Sequence, residues 1–237
     1  MNNIQERLQS INWIVAAEDM HARGYAQVPA LLSNEECDEL IKAYDESKHY
    51  RKTISMERYR FGLGEYKYFN YPLPSLIQSL REHIYPQLAP IANAWMSALK
   101  IDKAFPGTLQ ALQEQCHSVG QNRPTVLILK YGEGGHNTLH QDLYGEVYFP
   151  MQLVIFLSEP DDDYTGGEFV LTQQTPRAQS KAMVLKPRKG DMLLFTTNFR
   201  PIKGTKGYYR VNMKHGVSEL HSGRRYTLGI IFHDALS

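Results

Sequence analysis

Short apolar segments alternate with turn residues along the second half of the chain. From Pro124 onward, runs rich in β-branched and aromatic residues are separated by glycine, proline, asparagine and aspartate, which is the pattern of consecutive strands. Residues 151–157 are almost continuously apolar, which predicts a strand that is covered on both faces. The clearest predicted strands are residues 125–131, 151–157, 192–196, 210–217 and 225–233.

The first 120 residues have a helical pattern instead. Apolar residues recur at helical spacing up to Gly24, and Ser33 followed by Glu36 predicts a capping box that begins a helix ending near Tyr44. Further helices are predicted to begin at Pro74, over residues 86–99 and over residues 108–119, and strands over residues 25–30 and 51–68. The sequence therefore predicts an α+β fold, mainly β. A double-stranded β-helix (jelly roll, cupin-like) would span residues 124–233, with supporting helices in residues 1–120.

Length and composition favour one ordinary globular domain over residues 1–237. The chain has no run of about 18 apolar residues and no signal-peptide core, so we expect no membrane association and a cytoplasmic location. Cys37 and Cys116 are expected to be reduced, buried thiols. The formal net charge of +1 includes ten basic residues and one acid between Arg177 and Lys214, a stretch that could guide an anionic substrate.

His140 and Asp142 form the only His-x-Asp of the chain. Side chains at i and i+2 of a strand point the same way, so both could reach one metal ion. A downstream histidine, His215 or His221, would supply a third ligand. Two histidines and one carboxylate form the facial triad of non-haem Fe(II) oxygenases, which leaves three coordination positions open.

Several motifs follow the His-x-Asp in a fixed order. These are Gly166-Gly167-Glu168-Phe169, then Pro187-Arg188-Lys189-Gly190-Asp191 before Leu194-Phe195, then a histidine and an arginine ten residues later. From Tyr131 onward this order resembles the core of the Fe(II)- and 2-oxoglutarate-dependent dioxygenases, in the branch that contains the prolyl hydroxylases. Residues 130–137 and 204–210 resemble, more closely, a bacterial group whose label refers to oxidation of damaged nucleic acid.

The resemblance implies a role for each residue that matches the motifs of the family. Fe(II) would be bound by His140, Asp142 and His215, and the ten-residue spacing to Arg225 favours His215 over His221. Arg225, rather than Arg224, would pair with the distal carboxylate of 2-oxoglutarate, to which Tyr131 would also bind, and O2 would take the remaining iron site. Halogenating relatives lack the carboxylate ligand, so Asp142 argues against a halogenase.

The substrate is less constrained. His136, Asn137, Tyr68 and Arg210 are candidates to face it, and His233 is a candidate further site residue. The aromatic residues Tyr66, Tyr68, Phe69 and Tyr71 could form a lid that stacks on a base, or could pack in the core. Modified nucleic acid is the first candidate substrate and a protein side chain, such as prolyl, the second. The remaining alternative is a non-catalytic, cupin-like sensor of metal and 2-oxoglutarate.

Overall fold

The computed structural model describes residues 3–237, which form five α-helices and fifteen strands. The helices are α1 (Ile4–Ser10), α2 (Trp13–Arg23), α3 (Asn34–Lys42), α4 (Ser75–Ala98) and α5 (Leu109–Ser118). The predicted capping box at α3 is confirmed: Ser33 accepts a hydrogen bond from the backbone N–H of Glu36, and the Glu36 carboxylate accepts one from that of Ser33. Helix α2 ends at Gly24, which has a φ of 80° and donates its N–H to the carbonyl of Met20.

Helix α4 differs from the sequence prediction. We expected separate helices beginning near Pro74 and Pro86, but one helix continues through Pro86 and Pro90 to Ala98. An internal proline removes a backbone hydrogen bond and costs about 3 kcal/mol. This helix nevertheless buries a long apolar face that includes Ile77, Leu88 and Trp95, and the burial of that face outweighs the local cost.

The strands form two main antiparallel sheets and a small third one. In chain order they are β1 (Tyr25–Val28), β2 (Tyr50–Ser55), β3 (Gly62–Leu63), β4 (Glu65–Phe69), β5 (Leu127–Tyr131), β6 (His136–His140), β7 (Met151–Phe156), β8 (Tyr164–Gly166), β9 (Phe169–Gln174), β10 (Ser180–Leu185), β11 (Met192–Thr196), β12 (Phe199–Gly204), β13 (Gly207–Val217), β14 (Leu220–Gly223) and β15 (Arg225–Ile231). The larger sheet has the order β1-β11-β7-β15-β5-β4-β2. The smaller has the order β10-β9-β13-β6-β3, with β12 beside β13, and β14 pairs with β8.

Strand periodicity divides the larger sheet into two faces. On β7, Leu153 and Ile155 pack with the helices in the main core, whereas Val154 and Phe156 pack between the two sheets. Strands β5, β11 and β15 alternate in the same way. The helices therefore cover the outer face of the larger sheet, and its inner face and the smaller sheet enclose the core of a double-stranded β-helix, as predicted.

Two of the four aromatic residues considered as a lid belong to this support layer. Phe69 is buried in the main core, and the Tyr71 hydroxyl donates to Asp234, next to Arg81. The lid hypothesis is therefore wrong for Phe69 and Tyr71. Of the helices that the structure describes, none is long and apolar enough to cross a membrane.

Candidate metal centre and its cavity

Three side chains meet at the open end of the space between the sheets. One ligand atom each from His140, Asp142 and His215 lies within 4.8 Å of the other two. The Asp142 carboxylate is 3.5 Å from His140 Nε2 and 3.3 Å from His215 Nε2. Two imidazole nitrogens and one carboxylate oxygen at these separations form a donor set that fits Fe(II) in a facial triad.

The two candidate ligands of the His-x-Asp motif are placed by different elements. His140 is the last residue of β6, and its Nδ1 donates to the carbonyl of Thr138 at 2.7 Å, which leaves Nε2 free to bind a metal. Asp142 lies beyond the end of the strand. The expectation that one strand holds both ligands is therefore wrong for Asp142, because β6 ends before the alternation reaches it.

The third candidate ligand comes from the neighbouring strand. His215 on β13 is directly opposite His140 in the β13–β6 pairing, and the two ring centroids are 4.2 Å apart. His215 is buried, and its ring contacts those of Phe169 and Phe195. His221, the alternative ligand, lies exposed on β14 and does not line the cavity described below.

The electrostatics of the cluster suit a divalent cation. Burial, together with the charge of His215, lowers the pKa of His140 below its ordinary value, so its imidazole is neutral near pH 7. Burial alone would raise the pKa of Asp142. The hydrogen bond and charges of the two histidines outweigh that effect and hold the Asp142 pKa below its usual range.

Gln152 is a polar neighbour of the triad that the apolar pattern of residues 151–157 did not indicate. It lies in the apolar strand β7, and its Nε2 donates to Asp142 Oδ2 at 2.9 Å and is 3.3 Å from His215 Nε2. A hydrogen bond to a ligating carboxylate fixes the orientation of that ligand. The signal available in the sequence was the single amide within residues 151–157.

A cavity of about 360 Å³ extends from the triad between the two sheets. It is lined by all three triad residues and by Arg225, Tyr131 and Gln152, with Tyr66, Tyr68, Leu129, Tyr144, Thr227 and Val217 among the other lining residues. Its volume is at the lower end of the range for small-molecule sites, about 300–1,000 Å³. It suits a small cosubstrate together with one compact group of a larger substrate.

Arg225 begins β15 on the inner face of the sheet, opposite Tyr131 of β5. Its side chain is 1% exposed, and its Nε and Nη2 have no hydrogen-bond partner among residues 3–237. Aromatic rings of Tyr131, Phe156 and Tyr164 lie 5.3–6.0 Å from its guanidinium carbon. Buried donors without acceptors fit a ligand carboxylate, for which a guanidinium is the preferred partner. Arg224, the alternative, is exposed.

The residues considered as substrate-facing divide into two groups. Asn137 and Tyr68 line the cavity, and Asn137 Nδ2 donates to the Tyr131 hydroxyl at 3.4 Å. His136 and Arg210 do not line it: His136 Nδ1 donates to the carbonyl of Gly134, and the Arg210 guanidinium lies over the ring of Phe199.

The basic stretch 177–214 is also largely separate from the cavity. Lys186, Arg188 and Lys189 form ion pairs with Asp161, Glu159 and Asp38, and Arg200 is buried. None of its ten basic residues lines the cavity.

His233 is buried beside the cavity wall. The backbone N–H of Phe149 donates to its Nδ1 at 3.1 Å, and its ring is 5.1 Å from that of Tyr144, a lining residue. Burial lowers the pKa of His233 to about 4. It is a neutral supporting residue that does not itself line the cavity.

Comparisons with solved structures agree with the fold. Similar structures include a Pseudomonas putida prolyl-4-hydroxylase (TM-score 0.54, 12% identity, covering 94% of this chain and 98% of that chain). They also include an oxidoreductase of the 2OG-Fe(II) oxygenase family from Burkholderia pseudomallei (TM-score 0.56, 12% identity, 95% and 94% covered). A third is a Trichoplax adhaerens prolyl hydroxylase in complex with a hypoxia inducible factor peptide (TM-score 0.54, 14% identity, 98% and 92% covered).

Fold and family together define the class of this protein: an oxygenase whose double-stranded β-helix is shared with structures of 2OG-Fe(II) oxygenases and whose triad offers a donor set that fits Fe(II). The chain belongs to the family described as oxygenases catalysing oxidative methylation of damaged DNA, whose sequence pattern matches residues 64–235. Uncharacterized proteins from two strains of Mycobacterium tuberculosis are 46% identical over 167 residues, which is 70% of this chain and 72% of each relative.

Proposed function

We propose that this oxygenase oxidises a methylated base in nucleic acid, with His140, Asp142 and His215 as the iron ligands and Arg225 and Tyr131 as the binding groups for 2-oxoglutarate. The observation that carries the cosubstrate assignment is Arg225, a buried guanidinium in the same cavity as the triad, whose Nε and Nη2 have no hydrogen-bond partner in the described part of the chain. The substrate assignment is supported by the description of the family.

The residues of the chain would bind, orient and enclose the reactants. Arg225 would pair with the distal carboxylate of 2-oxoglutarate, and the Tyr131 hydroxyl, which is fully buried, would donate to the same group. Gln152 would hold the Asp142 carboxylate in place. Apolar and aromatic walls would keep water from the reacting atoms.

When bound, Fe(II) and 2-oxoglutarate supply the oxidation chemistry, in which O2 is consumed, 2-oxoglutarate becomes succinate and CO2, and a substrate C–H bond becomes C–OH. If that bond belongs to an N-methyl group, the hydroxymethyl product releases formaldehyde and leaves the base with an N–H. The proposed net reaction on nucleic acid is therefore oxidative demethylation.

The cavity supports a planar substrate group. Tyr66 and Tyr68 line it with ring centroids 5.4 Å apart, and Tyr144 and Phe61 contribute further rings. A base taken out of its stack can be held by such aromatic and apolar walls. A prolyl side chain is the second candidate, because its ring is also compact and largely apolar.

One assay tests both substrates. The Fe(II)-loaded protein would be given 2-oxoglutarate, O2 and either a single-stranded oligonucleotide with N-methylated bases or a proline-rich peptide. We expect formaldehyde and succinate in equal amounts with the oligonucleotide, and no oligonucleotide product from the Asp142→Ala variant. Hydroxyproline in the peptide, without formaldehyde from the oligonucleotide, would refute the nucleic-acid proposal.

We also propose a cytoplasmic location. Cys37 and Cys116 are free and buried, as expected for a protein in a reducing compartment.

A further inference from the structure

Two exposed aromatic rings are stacked at the mouth of the cavity. Tyr59 is 52% exposed and Phe61 is 45% exposed, their ring centroids are 5.5 Å apart, and the angle between the ring planes is 18°. Phe61 also lines the cavity, so its ring lies where the cavity meets the surface. Single exposed aromatics are common, whereas two exposed rings stacked at a cavity mouth concentrate apolar surface at that place.

This pair is fixed to the strand that holds the first metal ligand. The carbonyl of Phe61 accepts hydrogen bonds from the backbone N–H of Thr138 at 2.8 Å and from its hydroxyl at 2.9 Å. The N–H of Phe61 donates to the carbonyl of Met56 at 3.0 Å. Because Thr138 is two residues before His140, the rings have a defined position relative to the triad.

Two arginines alternate with the two rings. Arg58 and Arg60 are exposed, and neither forms an ion pair within residues 3–237. The nearby carboxylate of Glu57 accepts a hydrogen bond from Ser55. These cations contrast with Lys186, Arg188 and Lys189 of the basic stretch, which are already paired. The residues Arg58–Phe61, here called the rim turn, therefore place two arginines, neither of them in an ion pair within the described residues, beside two stacked aromatic rings.

We propose that the rim turn holds a single-stranded segment of the nucleic-acid substrate next to the base that enters the cavity. A base flanking the reacting one stacks on the exposed ring of Tyr59, and Arg58 and Arg60 contact the adjoining phosphates. Aromatic platforms interleaved with cations are the general means of binding single strands. A neutral prolyl peptide could pack against the rings but has no anionic group to pair with the two arginines. The inference rests on the proposed nucleic-acid substrate.

The test compares matched pairs of variants in binding of a short, fluorescein-labelled single-stranded DNA to the Fe(II)- and 2-oxoglutarate-loaded protein without oxygen. Tyr59→Ala is matched by Tyr208→Ala, since Tyr208 is also 52% exposed but lies on β13 away from the cavity. Arg60→Gln is matched by Arg177→Gln. Both arginines are exposed and both have left-handed backbone, with φ of 59° and 62°.

We expect Tyr59→Ala to weaken binding roughly tenfold, within the range measured for base–aromatic stacking, and Tyr59→Trp to restore it. Arg60→Gln should weaken binding and lower the slope of log affinity against log salt by about one. The Tyr208 and Arg177 variants should bind within about twofold of the unaltered protein.

If both variants of each matched pair lost the same affinity for DNA, binding would be diffuse and electrostatic, and the inference would be overturned. Unchanged DNA binding by Tyr59→Ala would also overturn the inference. So would a proline-rich peptide that displaces the DNA from the unaltered protein and does not bind the Tyr59→Ala variant. If the unaltered protein oxidises DNA but the rim-turn variants bind DNA as the control variants do, this inference is refuted and the proposed substrate is not. Absence of both DNA binding and DNA oxidation in the unaltered protein would instead refute the proposed substrate.

Discussion

Replacing Arg225 by methionine should have opposite effects on the free protein and on the protein with its cosubstrate. Methionine keeps much of the length of the side chain but removes the charge and all donors. In the free protein the guanidinium is 1% exposed, and its Nε and Nη2 have no partner among the described residues. Replacing the guanidinium therefore relieves an unfavourable burial in the free protein, whereas in the complex it removes the group that we propose binds the distal carboxylate of 2-oxoglutarate.

The magnitudes follow from the contacts. Two buried, unsatisfied donors cost about 1–3 kcal/mol each. The three surrounding rings return about 1–2 kcal/mol through cation–π attraction. Arg225→Met should therefore stabilise the free protein by about 2 kcal/mol, which raises Tm by roughly 4–8 °C in a chain of this size. Loss of two charge-assisted hydrogen bonds should weaken 2-oxoglutarate binding by about 100-fold or more.

Thermal unfolding with and without 2-oxoglutarate, in the presence of Mn²⁺ so that no turnover occurs, measures both effects. At a cosubstrate concentration about 100 times Kd, the unaltered protein should gain about 2.7 kcal/mol, and Arg225→Met should gain almost nothing. Arg224→Met is the control, because Arg224 is exposed and its loss should change neither value. A free Arg225→Met protein that is less stable, yet still stabilised by 2-oxoglutarate, would refute the reasoning.

Three further predictions concern Gln152 in the cavity wall and two buried residues outside it, His233 and Asp234. Gln152→Met should weaken Co²⁺ binding by roughly 10–100-fold in a spectroscopic titration, because the hydrogen bond that orients Asp142 is lost. Protonation of buried His233 favours the unfolded chain, since burial lowers its pKa from 6.5 to about 4. Its neutral form therefore contributes stability that is complete above pH 6.5 and falls by about 3 kcal/mol as the pH drops to 4, so His233→Gln should lose that dependence in urea unfolding. Asp234→Ala should cost about 3–5 kcal/mol in the same assay, because Asp234 is fully buried 2.8 Å from the buried guanidinium of Arg81.

Each of these predictions has a contradicting result. Unchanged Co²⁺ affinity in Gln152→Met would mean that Asp142 is oriented without the amide. A pH dependence that is the same with and without His233 would mean that this imidazole titrates at its ordinary value in the folded protein. A loss below about 1 kcal/mol in Asp234→Ala would mean that Arg81 finds another partner.

Local rules predicted those parts of the structure that depend on a few neighbouring residues. The capping box at Ser33 and the helix end at Gly24 each follow from one or two side chains. The strand alternation that separates Leu153 from Val154 follows from the geometry of any strand. The His-x-Asp motif indicated His140 and Asp142 as a metal-binding pair, whereas the choice of His215 over His221 rested on the resemblance to the dioxygenases.

Features that depend on tertiary contacts were beyond such rules. Helix α4 continues through two prolines because its apolar face is buried, which no local pattern around Pro86 indicates. Gln152 looked like an interruption of an apolar strand until the fold placed it beside Asp142. The basic stretch looked like a charged surface because its partners, such as Asp38 and Glu159, are distant in sequence. The sequence did not indicate the rim turn, because only the fold places Phe61, and with it Arg58 and Arg60, at the mouth of the cavity.

Succinate formation by the Fe(II)-loaded protein, given 2-oxoglutarate and O2, tests the central claim most directly. The unaltered protein and His221→Ala should form succinate, since His221 is exposed and outside the cavity. His140→Ala and His215→Ala should not. Succinate formation that survives the loss of His215, or that is lost with His221 instead, would contradict the assignment of the iron centre.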